Sequence, residues 1–313
     1  EGAQSENYAV LKIVRTGVSR IILSVVVLGE NLPEDLAYTF FSNSNSTGKR
    51  LSDYDLLKTH HLRYVKEEWF AQKVSVRWHN LEKSGDQDEL LHQMLFRLRN
   101  WRSGNQFHLN AAKTAERDMF NHYAVNTEPL SGFATLPTRQ FRFDSILSGG
   151  RDFFDYTEHY RKALVEFNNQ PVIQELHKAL RWHSNGVIHA GIKAAAFLFY
   201  CKFGEFYLAD AVYALAYRLS ILRNETRVMG KYLSGRIFQE CTASLDRVTS
   251  EGEFLAIMLN RKEQYNISNT GNTAKSYWNA LENFLGQLEK EHYLSIPQDH
   301  QKSSLFKIRL TQL

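Results

Sequence analysis

The chain has 313 residues, 43% of them hydrophobic and 23% charged, with a formal net charge of +4 and a pI near 8.9. These figures exclude a disordered polyelectrolyte and a disulfide-stapled miniprotein, and they leave room for a sizeable core and more than one domain. The mild basic excess admits a polyanionic partner without requiring one.

The two cysteines, Cys201 and Cys241, each lie in an apolar, helix-like stretch. They are expected to be buried thiols in a reducing compartment, which points to the cytoplasm. No Cys/His spacing suits a zinc site. The longest apolar stretches, such as Ile21 to Leu28, are too short to span a membrane, so no membrane partner is expected. The chain opens Glu1-Gly2-Ala3 without an initiator methionine or signal peptide, and it is expected to be a piece of a longer protein.

In chain order, Ile21 to Leu28 is a β-branched run closed by Gly29, the pattern of a buried strand. Pro33-Glu34-Asp35 marks the first turn of a helix. A polar loop, Ser42 to Arg50, follows. Ser52 and Asp55 then approximate a capping box that opens a second helix through Leu62. From about residue 66 the pattern is helical. Leu91, Met94, Leu95 and Leu98 give Asp88 to Trp101 an α-helical spacing, and helices between 103 and 150 are broken up by glycines and prolines. Further helices are predicted over 152–170, 172–183, 187–203, 205–223, 231–249 and 273–292. Gly204 is expected to form the turn of an antiparallel hairpin. Phe306, Ile308 and Leu310 alternate with polar residues in the period of a strand.

The polar loop carries the sharpest pattern. Small residues allow close backbone approach, the helix start behind them offers free N–H groups, and Lys49 and Arg50 add positive charge, which suits phosphate. An ordinary solvent loop with an Asn/Gly turn has the same composition and is the simpler chemical reading. The loop is not a Walker A element, because Arg50 stands where Ser or Thr should follow the lysine.

Phe41 to Leu51 matches the pattern F-x-x-x-N-x-x-G-x-x-L, and Ser52-Asp53-Tyr54-Asp55-Leu56-Leu57-Lys58 continues it. Over residues 20 to 65 the chain resembles the GmrSD-type, ParB-like restriction nucleases. Farther on, Gly149-Gly150 before Phe153-Phe154 and Tyr160 is a looser likeness. The resemblance implies a small α/β remnant of a ParB/sulfiredoxin-like domain over 1–65, followed by a helical domain over 66–313, so that the chain is mainly α. It also implies nucleotide-stimulated cleavage of phage DNA, with an NTP and a divalent metal as cofactors of the complete protein. DNA would be a partner, together with an N-terminal segment or a partner nuclease subunit. Asn45, Gly48, Lys49 and Arg50 would handle phosphate, supported by Phe41, Leu51, Asp55 and Lys58. The family's D-G-Q-Q-R motif is absent. Glu1-Gly2-Ala3-Gln4-Ser5 lacks its arginine, and His292 to Pro297 lacks the H-x-x-P spacing of an HNH nuclease. These residues are therefore expected to be inactive alone, and no catalytic residue is assigned. The alternative is a non-catalytic helical module that binds DNA or a protein.

Two basic-aromatic clusters complete the candidates: Arg97, Arg99, Trp101 and Arg102, and Arg139 and Arg142 with Phe141 and Phe143. Either they contact nucleic acid, with arginines on phosphate and aromatics on bases, or they are solvated helix faces beside core aromatics. His60-His61 point to different faces, so they cannot chelate one metal and a surface or interface role is expected. His177, His183 and His189 are expected to mark a helix end and hairpin.

Overall fold

A computed structural model describes residues 52–103, 115–124, 141–180, 186–225, 231–259 and 272–291. The chain divides after Arg50 into two units, Glu1–Arg50 and Leu51–Leu313, and every described residue lies in the second. The expected strands at 21–28 and 306–310 and the loop at 42–50 fall outside the described residues. Among those described, 82% are helical and none forms a strand, as a mainly α chain requires. The helices are α1 (Asp53–Leu62), α2 (Glu68–Ser84), a π-helix (Asp88–Phe96) running into α3 (Arg97–Arg102), α4 (Ala115–Tyr123), α5 (Arg151–Asn168) and α6 (Pro171–Leu180). They continue with α7 (Gly186–Phe203), α8 (Leu208–Glu225), α9 (Lys231–Arg247), α10 (Glu251–Leu259) and α11 (Asn272–Lys290).

Local chemistry sets the helix ends. Ser52 sits in extended backbone, accepts from the Asp55 N–H at 3.2 Å and donates its hydroxyl to Asp55 Oδ2 at 2.6 Å. This pairing satisfies one of the orphan donors of the first turn of α1. Gly85, at φ +77°, closes α2 in the left-handed conformation that a side chain resists. Gly204, at φ +82°, makes the turn between α7 and α8, where the hairpin is expected.

α7 is the centre of the unit. Six consecutive residues, Ala194 to Phe199, are buried, so the helix is apolar on all sides and needs neighbours all round. It packs against the π-helix, α3, α5, α6, α8 and α9. α8 repeats the pattern with Ala211 to Ala216. The surrounding helices bury one stripe each, such as Phe70, Val74, Trp78 and Leu81 on α2.

Two local outcomes differ from the sequence pattern. The Asp88–Phe96 stretch takes the wider i→i+5 register rather than the α register. Leu91, Met94, Leu95 and Leu98 are all buried, and Leu90 and Phe96 join them, a broader apolar surface than one α-helical stripe. Helix α10 was not expected. Its signal is Ser250, whose Oγ accepts from the Glu253 N–H at 3.3 Å, followed by buried Phe254 and Met258.

Candidate functional site

The α1 segment and the Gly149-Gly150 segment meet at the end of α1. His61 is fully buried, with its ring stacked on Phe153 at 3.8 Å between centroids. The Gly150 N–H donates to His61 Nδ1 at 3.2 Å, which makes Nδ1 the acceptor. Nε2 therefore carries the proton and donates it to the Tyr123 carbonyl at 2.9 Å. One neutral imidazole thus ties α1, α4 and the start of α5 together. Burial, with His60 beside it, pushes the His61 imidazole down to about 3. The surface or interface role expected for the His60-His61 pair is corrected for His61: both ring nitrogens are engaged inside the protein.

The two glycines are there because Tyr64 leaves no room. A Cβ on Gly149 would lie 2.5 Å from Tyr64 Cδ2. A Cβ on Gly150, at φ +81°, would lie 3.1 Å from the Tyr64 backbone carbon. Phe154 stands edge-on to Trp78 at 5.9 Å, and the Tyr160 hydroxyl donates to the Phe141 carbonyl at 3.0 Å. The glycine, phenylalanine and tyrosine positions of the looser likeness are therefore packing positions.

Beside this junction, Arg99 donates through Nε to His122 Nε2 at 2.8 Å and through Nη1 to the carbonyls of Phe143 and Ser145 at 2.7 and 3.0 Å. Its guanidinium carbon also lies 5.6 Å from the Tyr123 ring and 5.7 Å from the Tyr156 ring. Burial, reinforced by Arg99, pushes His122 down to about 4, and burial pushes Tyr156 up to about 12. The group is a closed structural network of neutral rings around one cation. It offers no nucleophile–base pair.

The first basic cluster is turned inward. Arg97 is 4% exposed, lies 5.8 Å from the Trp101 ring and makes a long hydrogen bond to the Ala190 carbonyl at 3.4 Å; burial pulls its pKa down to about 9. Trp101 is buried. Arg102 donates to Asp246 Oδ2 at 2.8 Å and lies 3.4 Å from Asp144 Oδ2, joining α3 to α9 and to the segment before α5. Nucleic-acid contact by Arg97, Arg99, Trp101 and Arg102 is thus replaced by contacts to internal carbonyls, carboxylates and rings, and the solvated-face alternative does not describe them either. In the second cluster, Phe143 is buried and stacked on Tyr160 at 4.4 Å, while Arg142 is exposed and 3.4 Å from Asp144. Asp55 accepts from the hydroxyl of the N-cap Ser52 in the first turn of α1, and Lys58 is half-buried on the same helix. Phe41, Asn45, Gly48, Lys49, Arg50, Leu51 and Arg139 lie outside the described residues. His177 and His189 stand 5.4 Å apart, on α6 and α7.

An open cavity of about 420 Å³ lies between the ends of α1 and α4, lined by His60, Arg63, Phe120, Asn121 and Ala124. Arg63 covers the Tyr64 ring at 4.6 Å. Among the described residues, no group of three or more His, Cys, Asp or Glu side chains could hold a metal ion, and no helix is long and apolar enough to cross a membrane.

No curated protein and no solved structure matches the chain. One family model matches residues 71–273, from α2 to the start of α11 and so across the whole α7-centred core. The chain therefore belongs to that family, a family of unknown function (DUF7834).

Proposed function

We propose that the chain is part of a GmrSD-type, nucleotide-stimulated restriction nuclease acting on phage DNA in the cytoplasm, with a ParB-like segment over 1–65 and a helical domain over 66–313. The observation that carries this reading is the contiguous match from Phe41 to Lys58, which ends on a well-formed helix start. Asp55, inside that match, is the residue that Ser52 engages, so the motif's continuation has a physical role in fixing the helix behind the loop. Asn45, Gly48, Lys49 and Arg50 present amide, backbone and charge to a nucleotide or DNA phosphate, and Leu51 anchors the loop. The NTP and metal belong to the complete system. These 313 residues carry neither D-G-Q-Q-R nor H-x-x-P and do not perform the cleavage themselves. The same absence favours the second reading, a helical module that binds DNA or a protein without cutting.

The test is a contrast between two loop variants in the complete restriction system. Asn45→Ala lowers nucleotide-stimulated restriction, read by plaque counts, with an unchanged melting temperature. Leu51→Ala lowers stability, by roughly 2–5 kcal/mol if the side chain is fully buried. Unchanged restriction and nucleotide binding in Asn45→Ala would leave the loop a connector and remove the assignment.

A further inference from the structure

Helix α2 sorts its residues by angle. At 100° per residue, Phe70, Val74, Trp78 and Leu81 fall on one side, and all four are buried. The outward side carries Trp69, Gln72, Val76, Asn80 and Lys83, with Lys73 at its edge. Every one of these is exposed, Trp69 by 58% and Val76 by 61%. No carboxylate falls within the stripe. Glu68 and Glu82, the two acids of the helix, project from its flanks, where Glu68 accepts from Gln72 and Glu82 pairs with His79.

We infer that this outward face of α2 binds single-stranded nucleic acid. A 58% exposed tryptophan on a well-packed helix leaves a large aromatic face in water. Lys73 Nζ lies 5.9 Å from the centre of that indole, so a positive charge stands beside the stacking surface. Lys83 follows ten residues on, about 15 Å along the axis and about 80° around it, toward the other edge of the stripe. A strand laid obliquely across the stripe meets both ammonium groups through its phosphates while a base stacks on the indole. Asn80, between the lysines, offers an amide to a base or sugar. Single strands are specified because stacking on an exposed aromatic needs a base face, and in a duplex the faces are covered by the neighbouring base pairs. An acidic protein would satisfy the lysines, but it would leave Trp69 without a stacking partner. The inference does not require the restriction reading.

The experiment uses the full chain and a fluorescent oligodeoxythymidylate of about 20 nucleotides, with binding followed by anisotropy at about 50 mM salt. Lys73→Glu with Lys83→Glu weakens binding at least tenfold and flattens the dependence of log K on log salt. Trp69→Ala weakens it about tenfold and removes the quenching of tryptophan emission that accompanies binding to the unsubstituted chain. Glu68→Gln, on the flank, leaves affinity within about twofold. A blunt duplex of the same length binds more weakly than the single strand. The inference is overturned if the oligonucleotide does not bind. It is equally overturned if the charge reversal and Trp69→Ala bind like the unsubstituted chain, or if duplex binds as tightly as single strand. Concentration-dependent self-association lost in Trp69→Ala, with no oligonucleotide bound, would assign the face to a second copy and also overturn it. Plaque counts in the complete system report on the restriction reading separately.

Discussion

Helices α2 and α3 carry similar ingredients and put them to opposite uses. In α3, Arg97, Arg99, Trp101 and Arg102 stand close together, and in α2, Trp69, Lys73, Arg77 and Lys83 do. The α3 residues face inward because that short helix packs against the π-helix, α7 and α9, leaving few of its directions in solvent. α2 turns a single stripe to the core, so its basic residues and one tryptophan remain outside. The lesson concerns helical phase. A basic-aromatic cluster becomes a surface only where a helix has a free side, and elsewhere the same residues become internal links.

The largest expected effects fall on α3. Arg99→Ala leaves His122 Nε2 and the Phe143 and Ser145 carbonyls without their donor, and it is expected to cost about 3–4 kcal/mol in urea unfolding. A loss below about 1 kcal/mol would show that Arg99 is not the inward link described here.

The next effect is a pH dependence. His61 is held near 3 in the folded chain against about 6.5 when unfolded. The unfolded chain therefore binds a proton between these values and the folded chain does not. The stabilisation is complete above pH 6.5 and erodes as pH falls toward 3. At pH 5 the loss is on the order of 2 kcal/mol relative to pH 7. His122, held near 4, adds to the loss in the same direction. His61→Leu should lower stability at pH 7 and flatten the profile between pH 7 and 5. A profile as steep as that of the unsubstituted chain would remove His61 from this role.

The smallest effect sharpens the contrast. Trp69→Ala on α2 should change stability by no more than about 0.5 kcal/mol, because the side chain is mostly in water. A loss comparable to that of Arg99→Ala would mean that the two helices do not differ as described.

Periodicity read much of the fold correctly. The buried residues of α2, and Leu281, Phe284, Leu285 and Leu288 on α11, recur at helical spacing, and Ser52 announced α1 by capping chemistry. The turn at Gly204 was equally local. The inward course of Arg99 was not legible, since its acceptors belong to Phe143 and Ser145, more than forty positions away in the chain. His61 escaped for the same reason: its partners come from Tyr123 and Gly150. Helix α10 was legible in Ser250 and Glu253, a four-residue cap that a search for long apolar runs passes over. The inward contacts of Arg97 to Arg102 were hidden for a related reason: composition records which groups are present and not which way they point.

The close approach of Gly149 to Tyr64 should bind these two positions into one evolutionary unit. A relative that carries any side chain at 149 must find room where the tyrosine ring now lies, so a residue as small as alanine or serine should stand at 64 in the same chain. A relative that keeps the tyrosine keeps the glycine. The two positions are 85 residues apart and should nonetheless change together, which turns a steric contact into an expected pairing of substitutions.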